Sequence, residues 1–257
     1  MEKILDGTSF GRSIVFKQAK KMSAKQTQGN YPAVPAIIDC VETGLTKGNA
    51  AGYERELVLF EELMLTPESE ALRSLFFGMS DNKKNPFKQE GKPHKDLRTL
   101  GMLGAGFMGA GITEVSVFKG IDVLLKDLQA ESLQNAKQQI WKSIAKKLKY
   151  KTISKTDAEE TMGRVQARLD YADFENADIV IEAVVEKMSV KKSIIKEIEE
   201  ICPNDTIVAS NTSSLSLTEM IQGAKRPENI IGMHYFSPVP KMPLLEIVRT
   251  EKTSTEA

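Results

Sequence analysis

The chain has 257 residues, of which 41% are hydrophobic, and its 35 lysines and arginines are matched by 35 aspartates and glutamates. This length and apolar fraction allow one large domain or two small ones, each with a packed core. The balanced charge disfavours nucleic acid and anionic membrane surfaces as partners, because no global field would attract either of them.

Cysteine usage and hydropathy exclude several further classes of protein. Cys40 and Cys202 are far apart and form no C-x-x-C pair, so we expect neither a disulfide framework nor a metal site. No apolar run approaches the roughly 18 residues of a transmembrane helix. The first residues lack the apolar core of a signal peptide and the arginine-rich character of a transit peptide. We therefore expect a soluble protein of a reducing compartment, without a targeting signal in the sequence as written.

The first 80 residues have helical periodicity and contain no convincing strand. The predicted helices cover residues 10–22, 32–44, 50–65 and a segment that begins after Thr66. Pro32 is placed where the first turn of a helix tolerates proline. Thr66 provides an N-cap, and Pro67 takes the first helical position of the last of these helices.

Apolar residues recur at spacings of three and four in the third and fourth predicted helices. In the third helix they are Tyr53, Leu57, Phe60 and Met64. The predicted buried face of the fourth helix consists of Leu72, Leu75, Phe76 and Met79. A helical region of about 80 residues is small for an independent core, so we expect it to dock on another surface.

Residues 81–96 are predicted to be a linker. They are polar, carry Pro86, Gly91 and Pro93, and show no apolar period. His94 belongs to this stretch, and we interpret it as a solvated loop histidine.

From residue 97 to residue 257 apolar strands alternate with helices, which predicts an α/β domain with a parallel sheet core. The predicted strands cover residues 100–103, 123–127, 165–169, 177–183, 206–210, 230–234 and 244–249. The predicted helices cover residues 130–150, 155–162 and 189–201, and Ser216 with Glu219 has capping-box spacing for a short one. The chain is therefore expected to consist of a helical region (1–80), a linker (81–96) and a Rossmann-type domain (97–257).

A glycine-rich turn between the first strand and its helix predicts dinucleotide binding. Gly104, Gly106 and Gly109 have G-x-G-x-x-G spacing, which permits a tight turn and a close approach of the backbone to a pyrophosphate. The helix that follows presents unpaired N–H groups and the positive end of its dipole. Asp127 lies 21 residues beyond Gly106, where its carboxylate can accept both ribose hydroxyls and would repel a 2′-phosphate. We therefore predict NAD rather than NADP as the cofactor.

Polar groups at the carboxyl ends of the later strands form a candidate catalytic site, since ligands of open α/β sheets bind at that edge. Glu186, residues 211–214 and His234 each follow or end a predicted strand. Oxidation of a secondary alcohol needs a base for the hydroxyl proton, and imidazole suits that task near neutral pH. Glu246, at the start of the next strand, could fix the ring tautomer, and Ser213 could hydrogen-bond the substrate oxygen. The alternative is a structural histidine without catalytic function.

Lysines near the end of the 130–150 helix form a basic patch. They are Lys142, Lys146, Lys147, Lys149 and Lys151. The favoured interpretation is a solvated helix face, and the alternative is a contact with phosphates.

Four motifs, in this order, resemble the L-3-hydroxyacyl-CoA dehydrogenase family. They are GAGFMGAG (residues 104–111), IEAVVE (181–186), ASNTSS (209–214) and GMHYFSPV (232–239). The preceding helical region resembles the linker between the crotonase and dehydrogenase parts of multifunctional fatty-acid oxidation α subunits. Residues 66–69 and 71–77 are particularly similar to the bacterial version.

This resemblance implies roles for individual residues. His234 would be the general base paired with Glu246, Ser213 would contact substrate and nicotinamide, and Asp127 would hold the ribose. The NAD site would be lined by Met108, Val184, Val185, Glu186, Lys191, Ser213 and Ser237. Ser237 replaces the asparagine of monofunctional members and cannot supply both an amide donor and a carbonyl acceptor.

The resemblance also places the coenzyme A moiety. Ser143 would face it, while the position of the family's nearby substrate lysine is occupied by Tyr150. Lys149 and Lys151 flank that position.

The reaction implied by the resemblance is NAD-dependent oxidation of L-3-hydroxyacyl-CoA to 3-ketoacyl-CoA in fatty-acid β-oxidation. The implied partners are the acyl-CoA substrate, a thiolase subunit of a fatty-acid oxidation complex and a second copy of the chain. The implied location is the bacterial cytoplasm, with the mitochondrial matrix as the alternative. Another β-hydroxyacid dehydrogenase and a non-catalytic NAD-binding scaffold module remain alternatives.

The resemblance further implies that the sequence is a fragment. Only the tail of the crotonase part is present, so no hydratase activity is expected. The family's last sheet strand and its helical C-terminal domain are expected to lie beyond Ala257.

Overall fold

The computed structural model describes residues 8–84 and 96–257. They belong to two compact units, one helical and one α/β. Most of the predicted linker, including His94, lies outside the described residues.

The helical unit confirms the helices predicted from periodicity and punctuation. Its helices are α1 (Ser9–Thr27), α2 (Ala33–Lys47), α3 (Asn49–Met64) and α4 (Pro67–Asp81). The first is longer than predicted, because Thr8 caps its start and left-handed Gln28 ends it. The predicted cap of α4 is confirmed, since the Thr66 side chain accepts a hydrogen bond of 3.3 Å from the Ser69 amide.

Two glycines allow α2 and α3 to approach closely. A Cβ atom added at Gly52 would lie 2.9 Å from the Gly44 Cα and 3.2 Å from the Gly44 backbone nitrogen. Both neighbours are backbone atoms, so no side-chain rotation could relieve the contact. The close approach of the two helices therefore depends on the absence of a side chain at Gly52.

We expect Gly52→Ala to destabilise the helical unit by about 1–3 kcal/mol, the usual cost of overpacking. Hydrogen–deuterium exchange of peptides from α2 and α3 in the full chain measures this. Gly78→Ala in α4 is the matched control, since no atom lies within 4 Å of its added Cβ. That change should stabilise by about 0.5–1 kcal/mol through helix propensity. Equal protection in the two variants would contradict the close packing at Gly52.

The predicted buried face of α4 is wrong. Leu72, Leu75, Phe76 and Met79 are 46%, 62%, 67% and 61% exposed. Phe60, on α3, is 61% exposed as well. Periodicity identifies the apolar stripe of a helix, but burial requires a partner surface, and the described elements do not cover this stripe.

The α/β unit is built from seven strands and the helices between them in residues 96–257. Its strands are β1 (Thr99–Leu103), β2 (Asp122–Lys126), β3 (Val165–Arg168), β4 (Ile179–Glu182), β5 (Ile207–Ser210), β6 (Ile230–Tyr235) and β7 (Leu245–Val248). Its helices are α5 (Phe107–Val117), α6 (Ala130–Lys149), α7 (Lys155–Gly163), α8 (Met188–Ile201) and α9 (Leu217–Met220).

The strand order is β3-β2-β1-β4-β5-β6-β7. The first six strands are parallel, and β7 pairs antiparallel with β6. The order reverses direction at β1, which lies between β2 and β4, so the carboxyl ends of these strands form the crevice where ligands of such sheets bind. This topology confirms the predicted Rossmann-type fold.

Both faces of the sheet are covered by apolar side chains, as expected for buried parallel strands. Met102 of β1 packs in the cluster that contains Ile140 of α6, whereas the next residue, Leu103, packs in the cluster that contains Ile195 of α8. All four residues of β4 are buried. This strand ends at Glu182, earlier than predicted, so Glu186 lies in the loop that follows and not directly at the strand end.

Among the helices of the described ranges, none combines the length and the apolar character needed to cross a membrane.

Candidate active site

The glycine-rich turn follows β1 and leads into α5. Gly104 has φ +95°, and a Cβ there would lie 2.7 Å from the Ala183 carbonyl oxygen. A Cβ at Gly109 would lie 1.8 Å from the carbonyl oxygen of Gly104. Gly106, the N-cap of α5, has no such neighbour within 4 Å. The first and third glycines thus serve packing, while the second leaves open space in front of the helix N-terminus, where a pyrophosphate could approach.

Asp127 directly follows β2 and is tied to the glycine-rich turn. Its Oδ2 accepts a hydrogen bond of 2.8 Å from the Ala105 amide, and its Oδ1 accepts one of 3.1 Å from Gln129. Each carboxylate oxygen can accept a second hydrogen bond, so the pair can still take ribose hydroxyls. The hydrogen bond to the turn itself was not predicted from the sequence.

A cleft of about 590 Å³ lies at the carboxyl ends of β1, β2 and β4, beside α8. The expected NAD-site residues that line it are Gly104, Gly106, Asp127, Val184 and Val185. Its size is in the range of small-molecule sites in proteins. This cleft brings together the turn, the acid and the β4 loop in the way that the sequence predicted.

Four cleft residues that take part in polar contacts were missed by sequence reasoning: Lys126, Tyr171, Ser193 and Glu197. The Tyr171 hydroxyl donates a hydrogen bond of 2.8 Å to Glu197, and the Lys126 ammonium lies 4.4 Å from the centroid of the Tyr171 ring. Burial, followed by the Glu197 hydrogen bond and charge, raises the pKa of Tyr171 far above its ordinary range. The phenol is therefore a neutral donor at physiological pH. The sequence did offer one signal for this polar group. Ser193 and Glu197 are four residues apart and therefore lie on the same face of α8.

His234 lies between two hydrogen-bonding side chains. It is directly opposite Glu246 in the antiparallel pair of β6 and β7, and its Nδ1 is 2.8 Å from the Glu246 Oε2. Its Nε2 is 3.1 Å from the Ser213 Oγ. A carboxylate at Nδ1 favours the tautomer with the proton on that nitrogen, which leaves Nε2 as an acceptor. The predicted trio of Ser213, His234 and Glu246 is therefore brought together in hydrogen-bonding order.

The loop that carries Ser213 is fixed at its first residue. Asn211 donates its backbone N–H to the Glu182 carbonyl at 2.9 Å. Its side-chain Oδ1 accepts from the Tyr235 amide at 2.9 Å. Asn211 thus links the ends of β4, β5 and β6, and this places the loop beside His234.

Lys191 of α8 is 1% exposed and lies between two carboxylates. Its Nζ is 2.8 Å from both oxygens of Glu182 and 3.3 Å from the Glu186 Oε2. Burial raises the pKa of Glu182 above its ordinary value, although the Lys191 ammonium and the Ser210 hydroxyl act in the opposite direction. The structure therefore places the expected NAD-lining residue Lys191 in the core, with its ammonium engaged by carboxylates.

The pKa of Glu186 is lowered. Burial acts to raise it, but the Thr212 hydroxyl and the Lys191 ammonium, together with the Ser213 amide, outweigh burial. Folding therefore favours the ionised carboxylate, whose contribution to stability is fully present above the unfolded pKa and is lost as pH falls through the folded value.

We expect the free energy of unfolding to fall more steeply with acidification in the wild-type chain than in Glu186→Gln. The difference should develop below 4.5, the ordinary pKa of this group. Urea denaturation at a series of pH values measures both curves. Parallel curves for the two proteins would contradict the lowered pKa.

The remaining expected site residues lie apart from these contacts. Met108 packs against the core cluster, Ser143 is partly buried on α6, and Ser237 is exposed after β6. The lysines of the basic patch are exposed, as expected for a solvated helix face; they are Lys142, Lys146, Lys147, Lys149 and Lys151. Exposure is equally compatible with a contact to phosphates.

A crevice at the topological switch point, together with a hydrogen-bonded Ser-His-Glu trio at the same sheet edge, is the architecture of a Rossmann-type dinucleotide-binding domain. Residues 99–257 match the family model described as 3-hydroxyacyl-CoA dehydrogenase, NAD binding domain. The chain belongs to the 3-hydroxyacyl-CoA dehydrogenase family, and its cofactor is NAD. The resemblance predicted from the four motifs is thereby confirmed.

Curated relatives match the whole chain. It is 44% identical over 257 residues to the fatty acid oxidation complex subunit alpha of Shewanella baltica, covering 100% of this chain and 36% of the relative. The corresponding protein of Shewanella oneidensis is also 44% identical, with the same coverage. The chain thus spans about a third of the length of these bacterial relatives.

Solved structures match more than half of the chain. A 3-hydroxybutyryl-CoA dehydrogenase from Escherichia coli K12 has a TM-score of 0.61 and 36% identity, covering 63% of this chain and 34% of its own. A (S)-3-hydroxybutyryl-CoA dehydrogenase from Ralstonia eutropha has a TM-score of 0.59 and 35% identity, covering 62% and 56%.

Proposed function

We propose that this chain catalyses the NAD-dependent oxidation of L-3-hydroxyacyl-CoA to 3-ketoacyl-CoA in fatty-acid β-oxidation. The observation that carries the proposal is the trio of Ser213, His234 and Glu246, joined by contacts of 3.1 and 2.8 Å. It lies at the sheet edge that also forms the nucleotide cleft, and its order suits proton removal from an alcohol.

In this mechanism the His234 Nε2 accepts the proton of the substrate 3-hydroxyl group. The Ser213 hydroxyl hydrogen-bonds the same substrate oxygen, and Glu246 stabilises the imidazolium that forms. Bound NAD supplies the hydride acceptor. The carbon loses a hydride and its oxygen loses a proton, so the products are a ketone, NADH and protonated His234.

The cofactor site is proposed from the geometry of the turn and from the family resemblance. Gly104, Gly106 and Gly109 would bring the N-terminus of α5 to the pyrophosphate, and Asp127 would accept the ribose hydroxyls. The other residues proposed to line the NAD site are Met108, Val184, Val185, Glu186, Ser213 and Ser237, whereas the buried Lys191 is engaged by Glu182 and Glu186. Ser143, near the basic patch of α6, is proposed to face coenzyme A.

The decisive experiment is production of NADH by the purified chain with NAD and 3-hydroxybutyryl-CoA, beside a direct NADH titration of the same sample. Free 3-hydroxybutyrate is the matched control substrate. Turnover of the thioester alone supports the proposal. Turnover of the free acid instead would identify another β-hydroxyacid dehydrogenase.

A second candidate function is an NAD-binding module that docks on a partner subunit. The observation that favours it is the exposed apolar stripe of α4, which includes Leu75 and Phe76. The partners proposed from the resemblance are a thiolase subunit of a fatty-acid oxidation complex and a second copy of the chain. The proposed location is the bacterial cytoplasm, with the mitochondrial matrix as the alternative. Tight NADH binding without turnover would favour this candidate.

We expect Asp127→Ala to weaken NADH binding by about 10- to 100-fold, because hydrogen bonds to a charged group contribute about 1.5–3 kcal/mol. The preference for NADH over NADPH should shrink as well, since the negative charge is removed. Fluorescence titration with both nucleotides measures this. Asp122→Ala, at the other end of β2, is the matched control and should bind NADH normally. Unchanged NADH affinity in Asp127→Ala would contradict the ribose contact.

A further inference from the structure

Glu186 joins the core to the loop that carries Ser213. One carboxylate oxygen, Oε2, is 3.3 Å from the Lys191 ammonium. The other, Oε1, accepts hydrogen bonds from the Thr212 hydroxyl, from the Ser213 amide at 3.2 Å and from the Ser214 amide at 3.4 Å. The two oxygens of a single side chain therefore contact two different parts of the molecule.

The core end of this connection is rigid. Lys191 is buried on α8, and its ammonium also contacts both oxygens of Glu182, which is itself fully buried on β4. An ammonium group has three N–H donors, and these carboxylate contacts engage them. Moving the ammonium away would leave the buried charge of Glu182 without a partner, which is strongly destabilising. The position of the ammonium is therefore well fixed. Glu186 is thus attached to an ammonium group that the core holds in place.

The loop end needs such an attachment. Asn211 fixes the first residue of this loop, but Thr212 and Ser213 beyond it lie outside helices and strands and depend on side-chain contacts for their position. Within the described residues, the amides of Ser213 and Ser214 both donate to the Glu186 carboxylate. The Ser213 hydroxyl then lies 3.1 Å from the His234 Nε2.

We propose that Glu186, anchored by Lys191, is a positioning residue that holds the 212–214 loop so that the Ser213 hydroxyl meets the His234 Nε2. This inference rests on the proposed function, in which Ser213 and His234 handle the substrate hydroxyl group. It gives Glu186 a task in addition to the proposed lining of the NAD site. It also gives the buried Lys191 a function that needs no contact with the nucleotide.

Carbethoxylation of His234 by diethyl pyrocarbonate tests the proposal without requiring turnover. His94→Asn serves as the background, because it leaves His234 as the only histidine. The Nδ1 is occupied by Glu246, so Nε2 is the reactive atom, and a hydrogen bond from Ser213 slows its modification. We expect Ser213→Ala to raise the rate by about 2- to 10-fold, corresponding to the loss of one ordinary hydrogen bond.

Glu186→Ala should raise the modification rate to the same extent, and the double variant with Ser213→Ala should react no faster than either single one. Such non-additivity is expected when two residues act through one contact. Glu200→Ala is the matched control, because Glu200 is an exposed residue of α8 whose carboxylate pairs with Lys225 at 3.7 Å. Its rate should equal that of the background.

A variant that unfolds would also expose His234, so the thermal midpoint is measured for each protein. Thr212→Val is a second variant that weakens the contact between Glu186 and the loop. It removes one hydrogen-bond donor to Glu186 and leaves no buried charge without a partner. It should raise the modification rate in the same direction while the chain remains folded. A background rate in folded Glu186→Ala, or additive effects in the double variant, would overturn the proposal.

NADH titration distinguishes the positioning role of Glu186 from a role confined to lining the nucleotide site. It also separates a failure of this inference from a failure of the proposed function. A positioning role predicts a lowered kcat together with a raised modification rate in Glu186→Ala, whatever the side chain also contributes to the Kd for NADH. If Glu186→Ala has a raised Kd for NADH and is modified at the background rate, Glu186 lines the nucleotide site and does not hold the 212–214 loop. If the wild-type chain binds NADH but turns over no thioester, the proposed function fails, while the modification rates still decide the role of Glu186.

Discussion

Replacing His234 with alanine is expected to lower turnover by about 10²- to 10⁴-fold, the usual contribution of a general base. The His234 Nε2 is the nitrogen left available by the 2.8 Å contact of Nδ1 with Glu246. Affinity for NADH should remain nearly unchanged, because His234 belongs to β6, whereas the proposed nucleotide cleft lies at the ends of β1, β2 and β4.

Initial rates with 3-hydroxybutyryl-CoA and NADH titration on the same preparation check this prediction. His94→Asn is the matched control, since it removes the only other histidine of the chain and should retain full turnover. A large loss of NADH affinity in His234→Ala would show that the residue supports the fold or the cofactor site. Retained turnover would exclude it as the base.

The second large effect is expected at the glycine-rich turn. Gly109→Ala should weaken NADH binding by about 100-fold or more, equivalent to roughly 2.7 kcal/mol. The added Cβ would lie 1.8 Å from the carbonyl oxygen of Gly104, and a backbone atom cannot turn away as a side chain can. The turn must therefore open, which moves the N–H groups of the α5 N-terminus from the pyrophosphate position.

Gly163→Ala at the end of α7 is the matched control, because its added Cβ meets no atom within 4 Å. It should bind NADH as the wild-type chain does. Circular dichroism of both variants separates a local opening of the turn from loss of the fold. Wild-type affinity in folded Gly109→Ala would contradict the assignment of the pyrophosphate to this turn.

Much of the proposed nucleotide site could be predicted because its determinants are local. The spacing of Gly104, Gly106 and Gly109 and the placement of Asp127 after a strand are visible in 24 consecutive residues, 104–127. The trio was predictable as a set, since Ser213, His234 and Glu246 each follow or occupy a recognisable strand. Their hydrogen-bonding order required the register of β6 with β7, in which His234 lies opposite Glu246.

The sequence by itself determined the α/β class, the glycine-rich turn and most helix boundaries, because periodicity, caps and glycine spacing act over a few residues. Only the tertiary structure decided that Lys191 is buried between Glu182 and Glu186 and that Tyr171 meets Glu197 across the cleft. It also decided that the apolar stripe of α4 is exposed. These features depend on strand order, on register and on which surfaces meet, and contacts between distant segments leave no periodic signal in a single sequence.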